Sequence, residues 1–284
     1  MIDLNDIDKA FGYYNIDNKY KNRCYESVNN INNNDLFLTS FNNINDILNY
    51  SDFNIIKKLW KYKDVNELFC EGIDPFVTNL IILLSYKNNR ENIERSNIDK
   101  EQIIINKRRI KECFESDLIN RNYESVRISQ MLWAYYFARV RIIEVGRLQY
   151  QYSVTDDNKQ VIKIHIPRGN KLDISSVRKS IDDSKQEIEK IFKVSNCEYI
   201  CNSWLLSNKL NEIIDKNSNI HKFYKLFDVV DGENCIDDII NFVYQKEEIN
   251  NYNELQENTN LQQLIKMELL NGTTFKIGKG VLIS

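Results

Sequence analysis

Of the two histidines in this 284-residue chain, His165 stands where a base could work. It lies in the alternating run Val161 to Ile166. There Ile162, Ile164 and Ile166 share one face, and Val161, Lys163 and His165 share the other. An imidazole with the ordinary pKa near ~6.5 exchanges protons at neutral pH and suits general acid–base work. The same position equally suits a structural histidine bonded to the next strand. The following turn, Pro167-Arg168-Gly169-Asn170-Lys171, carries two cations and one glycine ahead of a helical pattern that starts at Asp173. The unpaired N–H groups and dipole of a helix N-terminus favour anions. A plain turn followed by an N-cap explains the same residues. Six cysteines are present, and only Cys197 and Cys201 are close, as C-x3-C with no second pair and no nearby His. That is a poor zinc pattern, so no metal site is expected. Cys201 would need a lowered pKa to act as a nucleophile, and a buried thiol is the simpler reading. Tyr150 and Tyr199 are further acids of low specificity.

These residues must be positioned by strands and helices. From Arg139 to Val154 apolar residues alternate, with the parity shifting across Gly146, which reads as a bulge in one long strand. Thr155 to Asn158 is a turn, and Val161 to Ile166 completes a hairpin. Asp173 caps a helix whose stripe is Ile174, Val177, Ile181, Ile188 and Ile191. Cys197 to Trp204 is then a strand, and a crossover helix implies parallel pairing with the strand before it. Beyond it lie a helix capped by Ser207, a strand over Phe223–Val229 and a helix over Ile236–Val243. Thr259 caps a last helix, and a strand or hairpin closes the chain around Gly278-Lys279-Gly280. Residues 1 to about 120 read as helical, with Leu80, Ile81 and Leu84 following Pro75.

Composition excludes several classes. Hydrophobic residues at 42% and charged residues at 28% are those of a globular protein, not of a disordered chain. The length fits one large domain or two ordinary ones. Two Pro and eight Gly leave Asn to supply much of the turn chemistry. The formal charge of -3, from 38 basic and 41 acidic residues, gives no field for phosphate backbones, so no nucleic-acid partner is expected. The dense basic stretch Lys107 to Lys111 reads as a solvated helix face. There is no signal-like start, and the most apolar run, Phe76 to Leu84, is far below the ~20 residues of a membrane span. The expectation is a cytoplasmic protein with reduced thiols and no membrane partner.

Five segments then carry a family resemblance. In order they are Gly146-Arg147-Leu148-Gln149-Tyr150, His165-Ile166-Pro167, Cys201-Asn202-Ser203-Trp204-Leu205-Leu206, Asn217-Ser218-Asn219-Ile220 with Phe223 and Phe227, and the tail Thr259 to Leu282. The series resembles a bacterial family of acyltransferases with a helical N-terminal domain and a GNAT-like C-terminal domain. The resemblance implies an α/β (α+β) fold, a mixed twisted sheet flanked by helices. It places a helical domain at 1–120 and the GNAT-like domain at 121–284. It implies attack of an amine on a thioester, the donor being acetyl-CoA, another acyl-CoA or an acyl carrier protein. The acceptor would be a small molecule or peptide. Under it, His165 and Ser203 are catalytic, with Ser203 serving the thioester oxygen or the leaving thiolate. Ile166, Arg168, Gly169, Asn170 and Lys171 hold the donor, and Arg147, Gln149, Trp204 and Asn219 meet the acceptor. The donor loop of this fold commonly reads Q/R-x-x-G-x-G/A. Here it has one glycine, with Asp173 adding negative charge. A catalytically inactive GNAT-like ligand- or protein-binding module is the alternative.

Overall fold

The computed structural model describes the chain except residues 121–123, 156, 170, 247–248, 250 and 284. Asn170, expected in the donor loop, therefore lies outside the described residues. Contacts divide the chain into Met1–Ile143 and Glu144–Ser284, a boundary later than 120/121.

The described part of the first unit holds the helices Leu4–Tyr14, Lys21–Asn32, Asp35–Tyr50, Phe53–Lys57, Val65–Leu68, Val77–Leu84, Tyr86–Arg95, Lys100–Asn120 and Ile128–Ala138 (α1 to α9). Helix α6 is apolar on nearly every side because it is buried on nearly every side, from Val77 to Leu83. Its two polar interior residues are satisfied. Thr78 donates to the Val126 carbonyl, while Asn79 donates to Phe114 O and accepts from Val126 N. The basic stretch lies on α8, where Arg108 and Arg109 both pair with Glu112. Of its four cations only Arg108 is exposed, while Lys107 lies 3.6 Å from the Tyr13 ring centroid and Lys111 donates to Asn15 O, so the stretch is not the fully solvated face expected.

The second unit is built on a six-stranded sheet ordered β1-β2-β3-β4-β6-β5. The strands are β1 (Ile142–Val145), β2 (Leu148–Val154), β3 (Gln160–His165), β4 (Glu198–Ser203), β5 (Phe227–Asn234) and β6 (Lys276–Leu282). Helices α10 (Ile174–Phe192), α11 (Asn208–Ile213), α12 (Asn219–Tyr224), α13 (Ile236–Tyr244) and α14 (Asn260–Leu270) connect them. β2 and β3 are antiparallel, β3 and β4 parallel through α10, and β6 is antiparallel to both β4 and β5. The expected caps are present: Asp173 takes the Ser176 N–H, Ser207 the Leu210 N–H, and Thr259 forms a capping box with Gln262.

Two local expectations are corrected. Gly146 is not a bulge: it occupies the two-residue turn between β1 and β2, with φ +59°. A II′ hairpin turn needs positive φ at its first central residue, and glycine supplies it. The turn itself causes the parity shift. Phe223 is not in a strand but on α12, started by the Ser218 hydroxyl that accepts from His221 N; β5 begins only at Phe227. Of the strand or hairpin expected for the tail, the single strand β6 forms, and it is internal to the sheet. A Cβ at Gly278 would lie 2.0 Å from the Leu206 carbonyl oxygen, so this close backbone passage requires glycine.

Candidate functional site

The parallel ladder between β3 and β4 runs from Val161↔Glu198 to Lys163↔Ile200 and stops. β3 stays paired with β2 as far as His165↔Gln149, and β4 with β6 as far as Ser203↔Gly278. The two strands thus part company at their C-terminal ends while each remains anchored on its far side. The result is a cleft with Ile164–His165 on one lip and Cys201–Ser203 on the other. Strand edges that leave each other present backbone donors and acceptors to an extended ligand.

Below this cleft α10 packs on one sheet face. Tyr150 and Ser180 share a hydroxyl–hydroxyl hydrogen bond of 2.9 Å, and Leu148 N donates to Ser180 Oγ at 3.2 Å. Ser180 Oγ also donates to Val145 O. One serine therefore ties α10 to the β1–β2 hairpin. Burial holds the Tyr150 phenol well above its ordinary pKa, so it does not serve as a ready acid. Burial also pushes the Cys201 thiol up to about 12, in keeping with an inert thiol.

The opposite face carries a row of polar side chains. Alternation puts Gln149, Gln151, Lys163 and His165 together. Gln149 is buried and donates to a carboxylate oxygen of Glu144, also buried, at 2.8 Å. His165 Nε2 lies 2.8 Å from Gln151 Oε1. Since that oxygen accepts, the imidazole carries its proton on Nε2. Burial, with the Lys163 charge, pushes His165 down to about 3. It is a neutral imidazole throughout the physiological range, in contrast to the ordinary pKa on which its reading as a base rests.

The structure separates other residues that the sequence placed together. The register Lys163↔Ile200 puts Ile200 and Asn202 on the His165 face and Ser203 on the α10 face. His165 and Ser203 thus point to opposite sides of the sheet. Ser203 Oγ accepts from Leu205 N at 3.2 Å and caps the short 3-10 turn Trp204–Leu206. Arg147, expected to face a ligand, is buried; its guanidinium donates to Lys171 O and Pro167 O, both at 3.0 Å. It clamps the loop between β3 and α10. Within that loop Gly169 has φ +105° and open space around it, and Lys171 is exposed. Ile166 is half-buried just past β3. Asp173, exposed, takes the Ser175 and Ser176 hydroxyls besides the Ser176 N–H, which hold its carboxyl below the usual range. Asn219 is exposed in the first turn of α12.

Sequence reasoning missed Glu144, Gln151 and Phe242. The first two are polar positions in strands, with no local signal for burial. Phe242 of α13 remains 45% exposed yet touches both sides of the cleft region. The Arg168 guanidinium lies 4.5 Å from its ring centroid, and the Trp204 ring stacks at 6.4 Å and 25°. Among the described residues no group of three or more His, Cys, Asp and Glu side chains could hold a metal ion.

The sheet order and the split between β3 and β4 define a GNAT-like domain. Residues 142–282 match the family model described as the GNAT-like C-terminal domain, and this part of the chain belongs to that family. No curated protein matches the chain in sequence. Solved acyltransferases share its fold. One, in complex with decanoyl-CoA, is 15% identical with a TM-score of 0.65 over 97% of this chain and 98% of its own. An acyltransferase mutant in complex with octanoyl-CoA (18% identity) and an acyltransferase in complex with decanoyl-CoA and teicoplanin (20%) each give 0.63. Both alignments cover 73% of this chain and 66% of the other, just under two thirds of those proteins' length.

Proposed function

We propose that the C-terminal unit binds an acyl-CoA between β3 and β4 and transfers its acyl group to an amine of a small molecule or peptide. The ladder that stops at Lys163↔Ile200 carries the reading. The facing strand edges beyond it suit a pantetheine arm entering as a short strand. Acyltransferases of the same fold hold octanoyl-CoA and decanoyl-CoA, which supports an acyl-CoA donor over an acyl carrier protein. The teicoplanin complex supports an acceptor of the small-molecule or peptide type.

In this reaction the amine lone pair attacks the thioester carbonyl carbon. The C–S bond breaks with its electron pair going to sulfur. The proton lost from nitrogen balances the thiolate, leaving an amide and free CoA. His165 serves as a neutral imidazole that accepts a hydrogen bond from the attacking amine. Arg147 positions the loop that meets the donor phosphates, and Arg168 and Lys171 supply its charge. Isothermal titration with acetyl-, octanoyl- and decanoyl-CoA tests the donor, and mass spectrometry of amine acceptors tests transfer. Binding of a medium-chain acyl-CoA followed by a mass gain on an amine is expected. Silence with every acyl-CoA removes the reading.

One observation favours a catalytically inactive binding module. The Asp173 carboxylate stands at the start of α10 and occupies the Ser176 N–H, at the helix end where the donor phosphates are proposed to lie. Under that alternative, the wild type and His165→Ala bind ligand equally and neither transfers an acyl group.

A further inference from the structure

The last turn of α13 touches the loop that follows β3 and the residue that follows β4. Arg168, from the loop, donates to the Asn241 carbonyl at 2.9 Å and to Asn241 Oδ1 at 3.3 Å. Its guanidinium lies 4.5 Å from the Phe242 ring centroid. Trp204, directly after β4, stacks on the same ring and packs against the cluster of Leu210, Ile239 and Phe275. An exposed arginine side chain samples many rotamers, and ordering it costs entropy. Here a carbonyl and an aromatic face on one helix hold the side chain of a residue that lies six positions before α10 begins. Nothing in the fold of α13 itself requires this. Its stripe Ile236, Ile239, Ile240 and Val243 packs into the core cluster, while Phe242 stays largely outside. A large exposed aromatic held between two residues of a cleft is the unexplained feature.

We infer that Phe242 is a positioning residue for the donor: through Arg168 it sets the affinity for the diphosphate end of CoA and separates CoA thioesters from thioesters that lack a nucleotide. The inference rests on the acyl-CoA reading above. A planar guanidinium held at fixed orientation can offer paired N–H groups to phosphate oxygens. A cation–π contact at an exposed site is a matter of a fewfold in affinity.

The test measures steady-state transfer with decanoyl-CoA and with decanoyl-pantetheine, using wild type, Phe242→Ala, Phe242→Tyr and Arg168→Ala. For Phe242→Ala, KM for decanoyl-CoA is expected to rise about fivefold with kcat unchanged, while KM for decanoyl-pantetheine stays put. Phe242→Tyr restores the wild-type value, and Arg168→Ala combined with Phe242→Ala adds little to either alone. A Phe242→Ala protein that changes KM for both donors by the same factor, or for neither, overturns the inference. A wild type that binds neither donor fails one step earlier and overturns the acyl-CoA reading, and with it this one.

Discussion

At the scale of single residues, environment decides the chemistry more than identity does. Position and residue type were both legible for His165: the end of a strand, beside a basic turn. Its protonation was not. Alternation along one chain cannot show that Gln149 and Gln151 stand beside the imidazole, nor that the site is deep enough to disfavour charge. Arg147 teaches the same lesson, since its cation meets two backbone carbonyls of a loop twenty residues further on. The His165 shift has a consequence for stability. Its folded pKa of about 3 lies below the ordinary 6.5, so between those values the unfolded chain binds a proton that the folded chain does not. The contribution is fully present above about pH 6.5 and is lost as pH falls towards 3, by at most about 1.4 kcal/mol per pH unit. In urea melts from pH 7 to 4.5, His165→Gln is expected to lose stability less steeply than wild type. Parallel curves would mean that His165 titrates at its ordinary pKa.

At the scale of elements, the order hairpin, helix, parallel strand was legible because periodicity and caps agreed, as at Asp173 and Thr259. The failures lie where two elements meet. A hairpin turn and a bulge both shift parity by one, so the run through Gly146 did not distinguish them. Phe223 and Phe227 are spaced for a strand or a helix alike, and only the Ser218 cap decides. Glycines test the element packing directly, because the space around each differs. In α1 nothing lies within 4 Å of a Cβ built on Gly12; Gly12→Ala is expected to stabilise the protein by about 0.5–1 kcal/mol through the helix-forming preference of alanine. At Gly278 the added Cβ meets the Leu206 backbone, which cannot rotate away. Gly278→Ala is expected to cost about 3 kcal/mol or more, or to prevent folding. Thermal melts of the two variants should move in opposite directions. A silent Gly278→Ala would mean that β6 does not run against Leu206.

For the molecule as a whole, the thiols report on how completely the chain packs. All six cysteines are free, and among the described residues no helix is long and apolar enough to cross a membrane. Cys24 and Cys113 lie in the first unit's interior, and Cys201 and Cys235 in the second's, while Cys70 and Cys197 are half-buried. Burial raises the pKa of Cys24, Cys201 and Cys235 to about 12 and that of Cys113 further. Reaction with a disulfide reagent needs a thiolate and access, and these four lack both. Two thiols should therefore react within minutes in the native state, and the other four only as fast as the unit holding them opens. The slow four should fall into two pairs, since each unit has its own core and no cysteine bridges them. Denaturant below the main transition should accelerate one pair before the other if the units differ in stability. Mass spectrometry of labelled peptides assigns the order. More than two fast thiols would show that at least one of these cores is open in solution, and labelling of Cys201 among them would place the opening at β4, beneath the proposed donor cleft.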